Sequence, residues 1–262
     1  MKNNGISMRL IIMNFLQYAI WGAYLTSMGS YLAGIGMSAK IGIFYAMQGI
    51  VSIFMPAIVG IIADKYIPAQ KVLSICHGLA GLFMIAAGWY GMSAGENVAF
   101  GHLFGLYSLS VAFYMPTIAL SNSVAYSGLE RYGLDTVKDF PPIRVFGTVG
   151  FICSMLFVNF MTIDGVQFQH SYNQFFTSGI IGLALCAFAL TLPPCPVSKT
   201  NEGTSFVDVF GLRAFSLFKK KDMAIFFIFS MLLGVSLQIT NGFANPFITS
   251  FASIPEYADS WG

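Results

Sequence analysis

Asp139-Phe140-Pro141-Pro142-Ile143-Arg144-Val145-Phe146-Gly147-Thr148-Val149-Gly150-Phe151 takes the chain from a charged loop into an apolar helix and sets an arginine at its head. The two prolines suit the first turn of a helix, where N–H groups lack intrahelical partners and proline's fixed φ fits. From there Arg144, Thr148 and Phe151 recur at i, i+4 and i+7 and share one helix face. Val145, Val149 and Ile152 beside them are plain apolar residues. A forked donor, a hydroxyl and an aromatic ring on one face suit a small polar molecule with a flat ring. The competing reading is that Arg144, close to the helix start, only snorkels to the membrane interface.

The rest of the chain is of the same apolar kind. With 262 residues, 56% hydrophobic and 9% charged, at a mean hydropathy of +0.72, it reads as a multi-span helical protein of the lipid bilayer. A net charge of +2 without a basic, aromatic-interleaved stripe excludes nucleic acid. Cys76, Cys153, Cys186 and Cys195 form no CxxC pair and have no histidine at ligand spacing, so they read as packing residues and no metal is expected. The first apolar run is too long for a signal-peptide core and is expected to act as its own insertion signal, with no lipid anchor at either end.

Apolar runs of spanning length fall at 8–32, 41–62, 72–92, 98–121, 143–163, 174–193 and 223–248, which predicts seven transmembrane helices. Arg144 apart, every Lys and Arg except Lys40 falls on the loops that share a side with the N-terminus, which predicts a cytoplasmic N-terminus. The stretch after the sixth span differs in kind, opening with Pro193-Pro194-Cys195-Pro196 and closing with Lys219-Lys220-Lys221. Within it Phe206, Val209, Phe210, Phe215 and Phe218 are spaced for an amphipathic helix on the inner leaflet, although the lysines are equally those of positive-inside topology.

Six spans, a basic linker and one further span predict an all-α membrane transporter of two six-helix bundles, with the second bundle nearly all missing. The expected domains are a six-helix bundle over 1–193, a cytoplasmic linker over 194–222, and the first helix of the second bundle with a short periplasmic tail over 223–262. A fragment of a longer transporter is therefore expected, and a monomer if full length.

Gly60-Ile61-Ile62-Ala63-Asp64-Lys65, followed by Lys71, resembles the GxxxD-R/K element of the major facilitator superfamily, although Ile67, Pro68 and Ala69 replace the usual glycine and basic residues. The resemblance implies a gating loop built on Gly60, Asp64 and Lys65. A wider likeness runs in order through the chain. It covers Phe15-Leu16-Gln17 with Trp21-Gly22, Phe54-Met55-Pro56-Ala57, Ile75-Cys76-His77, Tyr114-Met115-Pro116-Thr117 and Asp139 to Phe151. It continues through Met223 to Ser230 and Leu237-Gln238-Ile239-Thr240-Asn241. Together these strings resemble the bacterial nucleoside:proton symporter family.

That resemblance implies nucleoside uptake across the bacterial inner membrane by alternating access, with the proton as coupling ion and no cofactor. It implies substrate contacts from Arg144, Thr148, Phe151, Gln238 and Asn241. The residue chemistry agrees, since ribose hydroxyls, a base edge and an aromatic face suit amides, a hydroxyl, a guanidinium and a phenyl ring. Gln238, Asn241 and Asn245 recur at i, i+3 and i+7, so one face of the seventh span is amide-rich and must turn to the protein or to a cavity. Gln17, Trp21 and Tyr24 make a similar face on the first span and, with Asn245, are candidates to line the cavity. Gln48, His77, Asn122 and Asn159 read instead as polar groups satisfied in helix packing. Gly101 with Gly105 and Gly147 with Gly150 are expected to allow close helix approach, and Pro56 and Pro116 to kink their helices.

No Asp or Glu falls inside the seven spans, so the proton-carrying carboxylates are expected in the second bundle. A carrier for another small polar solute such as a sugar, and a membrane receptor or scaffold, stand as alternatives. A membrane enzyme is not expected, because the chain has no HExxH and no intramembrane aspartate pair.

Overall fold

The computed structural model describes residues 2–95, 97–197 and 217–251. Eight α-helices follow in order: α1 (Lys2–Gly22), α2 (Met28–Gly34), α3 (Ile41–Lys65), α4 (Ala69–Ala94), α5 (Phe100–Arg131), α6 (Thr136–Phe160), α7 (Asn173–Ala189) and α8 (Lys221–Ser250). Between α6 and α7 a two-residue hairpin pairs β1 (Thr162–Ile163) with β2 (Val166–Gln167), turning on Asp164 and Gly165 at φ 53° and 79°. Those positive φ values suit a tight hairpin turn, where glycine and aspartate are among the residues that tolerate them. A 3₁₀ turn, Phe168–His170, leads from the hairpin towards α7.

Among the described residues five segments are long and apolar enough to cross a membrane: Ser38–Lys65, Ala69–Ala94, Phe100–Arg131, Thr136–Phe160 and Lys221–Ser250. α1, interrupted by Arg9, Asn14 and Gln17, and α7, 17 residues long, fall outside that set.

In two of the closely packed helix pairs glycine sets the spacing. α1 lies against α6, where a methyl on Gly22 would overlap the Phe151 backbone and one on Gly150 the Phe15 backbone. α4 lies against α7 in the same way: a Cβ on Gly81 would stand 2.8 Å from the Gly179 carbonyl oxygen, and one on Gly179 2.8 Å from that of Gly81. Lipid offers no hydrophobic drive between helices, so backbone-to-backbone approach and its dispersion contacts supply the attraction. The expected pairing of Gly147 with Gly150 is thus found. The expected role of Gly101 and Gly105 is not, because a Cβ at either would meet nothing within 4 Å.

Several boundaries differ from those expected, three of them in ways that shape the site. The first apolar run is interrupted at 23–27, between α1 and α2. The interruption is held from elsewhere in the chain: the Tyr45 hydroxyl donates to the Leu25 carbonyl, and the Ser27 hydroxyl bonds Gln174 Oε1 at 2.9 Å. α5 runs ten residues past the expected end at 121, because Val124, Ala125 and Leu129 continue its buried face. α6 begins at Thr136, where Asp135 caps the N–H groups of Val137 and Lys138. Pro141 and Pro142 therefore stand in its second turn, not its first.

α8 joins the bundle at one level only. Its single buried residue, Gly242, crosses Gly29 of α2 and packs on the Tyr45 ring of α3, while the rest of the helix is exposed or half-buried.

Candidate functional site

Arg144 is half-buried, with its guanidinium carbon 3.8 Å from the centroid of the Tyr18 ring. Stacking a weakly hydrated guanidinium on an aromatic face is favourable by roughly 0.5–2 kcal/mol, more as water is excluded. Gly147 makes room for the stack, since a Cβ there would lie 2.6 Å from Tyr18 Cδ2 and 2.7 Å from Arg144 Nη1. One turn further Thr148 is exposed, and beyond it Phe151 is half-buried against the core. The face expected on α6 thus exists, and its arginine is drawn to α1.

On α8, Gln238 is half-buried and its Nε2 has no partner among the described residues. Asn241 and Asn245 line a cleft of about 310 Å³ with Thr26, Asn159 and Gln169. The cleft does not include Arg144, Thr148, Phe151 or Gln238, so the five expected substrate contacts are not gathered in it. Asn245 Nδ2 donates to Gln169 Oε1 at 3.3 Å and ties α8 to the turn before α7.

Two of the residues expected to line a cavity are core residues instead. Gln17 is 0% exposed: its Nε2 donates to Thr117 Oγ1 at 2.9 Å, and its Oε1 accepts from His77 Nε2 at 2.8 Å. The Tyr114 hydroxyl donates to the Gln17 carbonyl at 2.7 Å. Tyr24 is equally buried, edge-on to Tyr107. Trp21 is half-buried and donates to Gln48 Oε1 at 3.1 Å, and Gln48 Nε2 donates to the Tyr107 hydroxyl at 2.8 Å. His77 and Gln48 are thereby the packing groups expected. Asn159 differs, since it faces the cleft with no hydrogen bond to any described residue. Asn159 and Gln169 were missed as site candidates because a lone amide in a sequence carries no sign of which neighbours it meets.

In the expected gating loop, Asp64 is exposed and Lys65 half-buried on the last turn of α3, and Gly60 has open space around it. The start of the expected linker is fastened to the bundle. Arg9 donates to the Thr191 carbonyl at 2.8 Å, Arg131 to the Pro194 carbonyl at 2.7 Å, and the Cys195 N–H donates to Gln70 Oε1 at 2.9 Å. Burial pushes the Cys195 thiol above its ordinary pKa. The expected amphipathic segment falls at 206–218, of which 206–216 lie outside the described residues.

Glycine-packed helices, with five of the described segments long and apolar enough to cross a membrane, define a polytopic helical membrane protein. The chain belongs to the Nucleoside H+ symporter family, whose profile matches residues 4–261. It is 45% identical over 260 residues to the xanthosine permease of Escherichia coli (strain K12), a match that covers 98% of this chain and 59% of the permease. It is 42% identical, with the same coverage, to the nucleoside permease NupG of that strain. The crystal structure of a mutant of the nucleoside transporter NupG superposes with a TM-score of 0.83 at 41% identity, covering 98% of this chain and 61% of that one. A second NupG crystal structure gives 0.77 at 40% identity. The chain thus shares the NupG fold and spans about three-fifths of the length of these relatives. They are named as permeases and transporters, and the membrane-enzyme reading falls.

Proposed function

We propose that the chain forms the first bundle and the seventh span of a proton-coupled nucleoside transporter of the bacterial inner membrane. The observation that carries this reading is the likeness to nucleoside and xanthosine permeases along nearly the whole chain, at 42–45% identity.

In this reading α1 with α2 make one interrupted span and α7 a short one, which brings the five long apolar segments to seven. The N-terminus is cytoplasmic. Support comes from Arg9, which meets the Thr191 carbonyl just before the linker, and Arg131, which meets the linker's Pro194 carbonyl, so both basic residues gather where positive-inside topology requires them. Residues 1–193 form the bundle, 194–222 the linker and 223–262 the opening of the second bundle. Arg144, Thr148 and Phe151 on α6, with Gln238 and Asn241 on α8, contact the nucleoside. Asp64 and Lys65, with Gly60, serve in gating against the second bundle. The proton is carried by groups in the part of the relatives' length that the match does not cover. The working unit is a monomer.

The test uses the protein together with whatever follows it in its reading frame, reconstituted in proteoliposomes with an acid exterior. Labelled uridine, adenosine and xanthosine are offered to wild type and Arg144→Ala. Uptake by wild type that collapses with the proton gradient, and falls about ten- to a hundredfold in the variant, is the expected result for a lost charged hydrogen bond. A protein that moves a sugar and none of the three nucleosides overturns the assignment.

A further inference from the structure

The amide-lined cleft is not the surface formed by Arg144, Thr148 and Phe151. Along α6 it opens at Met155, one turn past Phe151, and reaches Asn159, about 12 Å past Phe151 at 1.5 Å per residue. Its other walls are Thr26 at the interruption between α1 and α2, Gln169 after the hairpin, and Asn241 with Asn245 on α8.

Three features limit what this cleft can hold. Its volume of about 310 Å³ lies at the lower end of small-molecule sites. Its polar groups are amides and hydroxyls with no charged side chain among them, so the ligand is neutral. The half-buried Asn159 and Asn241 amides make no hydrogen bond to any described residue and stand open to the cleft. Each offers a donor and an acceptor side by side, the pattern that a base edge or a ribose diol complements. Met155, Leu156 and Ile248 add an apolar wall against which a flat ring packs. An interrupted span beside the cleft is the arrangement by which transporters build substrate sites.

We propose that this cleft is a second nucleoside station at the hairpin end of the bundle, with Asn159 and Gln169 as its own contacts and Asn241 shared with the station at Arg144. It rests on the nucleoside reading above. A nucleoside entering from the hairpin end is held here first, between α6 and α8. Asn241 then passes it one to two turns along towards Phe151.

The experiment is photolabelling of the reconstituted protein, with its full reading frame, by 4-thiouridine, followed by peptide mapping and paralleled by uridine uptake. Wild type, Asn159→Leu, Gln169→Leu and Arg144→Ala are compared, with two cleft variants so that a folding failure of one leaves the other. The expected result is label on the peptide spanning 155–169 in wild type and in Arg144→Ala. That label falls about five- to tenfold in each cleft variant, as for one lost neutral hydrogen bond. Label confined to the peptide spanning 144–151 while wild type still takes up uridine overturns the second station and leaves the function intact. Absence of both label and uptake overturns the two together.

Discussion

The Arg144 guanidinium carbon lies over the Tyr18 ring, 3.8 Å from its centroid, across the α1–α6 crossing that Gly22 and Gly150 bring to backbone contact. An aromatic face on a different helix therefore holds the half-buried arginine.

Gly147→Ala tests that arrangement. The new methyl would meet side-chain and not backbone atoms, 2.6 Å from the ring carbon Tyr18 Cδ2 and 2.7 Å from Arg144 Nη1, so the ring and the guanidinium must be displaced while the backbones keep their crossing. Uridine KM is expected to rise about tenfold with little change in thermal stability, and Tyr18→Leu is expected to act in the same direction. Unchanged KM in both variants would show that the stack does not position Arg144 for substrate.

At Gly150 the obstacle is backbone, not a movable side chain, because a Cβ would overlap the Phe15 carbonyl. Gly150→Ala is expected to destabilise the bundle by about 1–3 kcal/mol or more, the cost of overpacking. Gly101→Ala meets nothing within 4 Å and should leave the melting temperature unchanged or slightly higher. Equal melting temperatures for the two variants would remove the case for a glycine-set crossing.

Gln17→Leu separates a core role from a substrate role. It removes the acceptor for His77 Nε2 and the donor to Thr117 Oγ1, both at buried positions. A loss of about 1–3 kcal/mol in stability is expected, with nucleoside Kd held within about twofold. A large rise in Kd at unchanged stability would return Gln17 to the cavity wall.

The fastening of the linker is read through Cys195. Its thiol is buried, and burial holds its pKa above the ordinary range. The thiolate, which is the reactive form, is therefore scarce at neutral pH and grows only as pH rises past the usual thiol value. In a Cys153→Ser background, maleimide labelling of Cys195 should be slow at pH 7 and accelerate with pH. Arg131→Ala, which frees the Pro194 carbonyl, should raise the rate at pH 7 about tenfold or more. Fast labelling in the parent protein at pH 7 would mean that the linker root is not held.

Helix α8 shows how far the sequence could be read. The i, i+3, i+7 amides of Gln238, Asn241 and Asn245 are visible in the chain, and the structure finds Asn241 and Asn245 in a cleft. The first span shows where reading stopped. Nothing near Tyr24-Leu25-Thr26-Ser27 forces the helix to break, for the groups that satisfy the break are Tyr45 and Gln174, 20 and 147 residues away in sequence from the atoms they meet.

The sequence by itself determined that this is a helical membrane protein, where most spans lie, that Gly147 and Gly150 allow close approach, and to which family it belongs. Each of these depends on local composition, helical periodicity or matched strings, which are properties of neighbouring residues. Only the tertiary structure decided that Gln17 is locked into the core while Asn159 is turned to a cleft. Both are single amides in apolar helices, and an amide's role depends on partners that packing brings to it from other helices. For Gln17 these are His77 and Thr117, 60 and 100 residues along the chain, and for Asn159 no described residue supplies one.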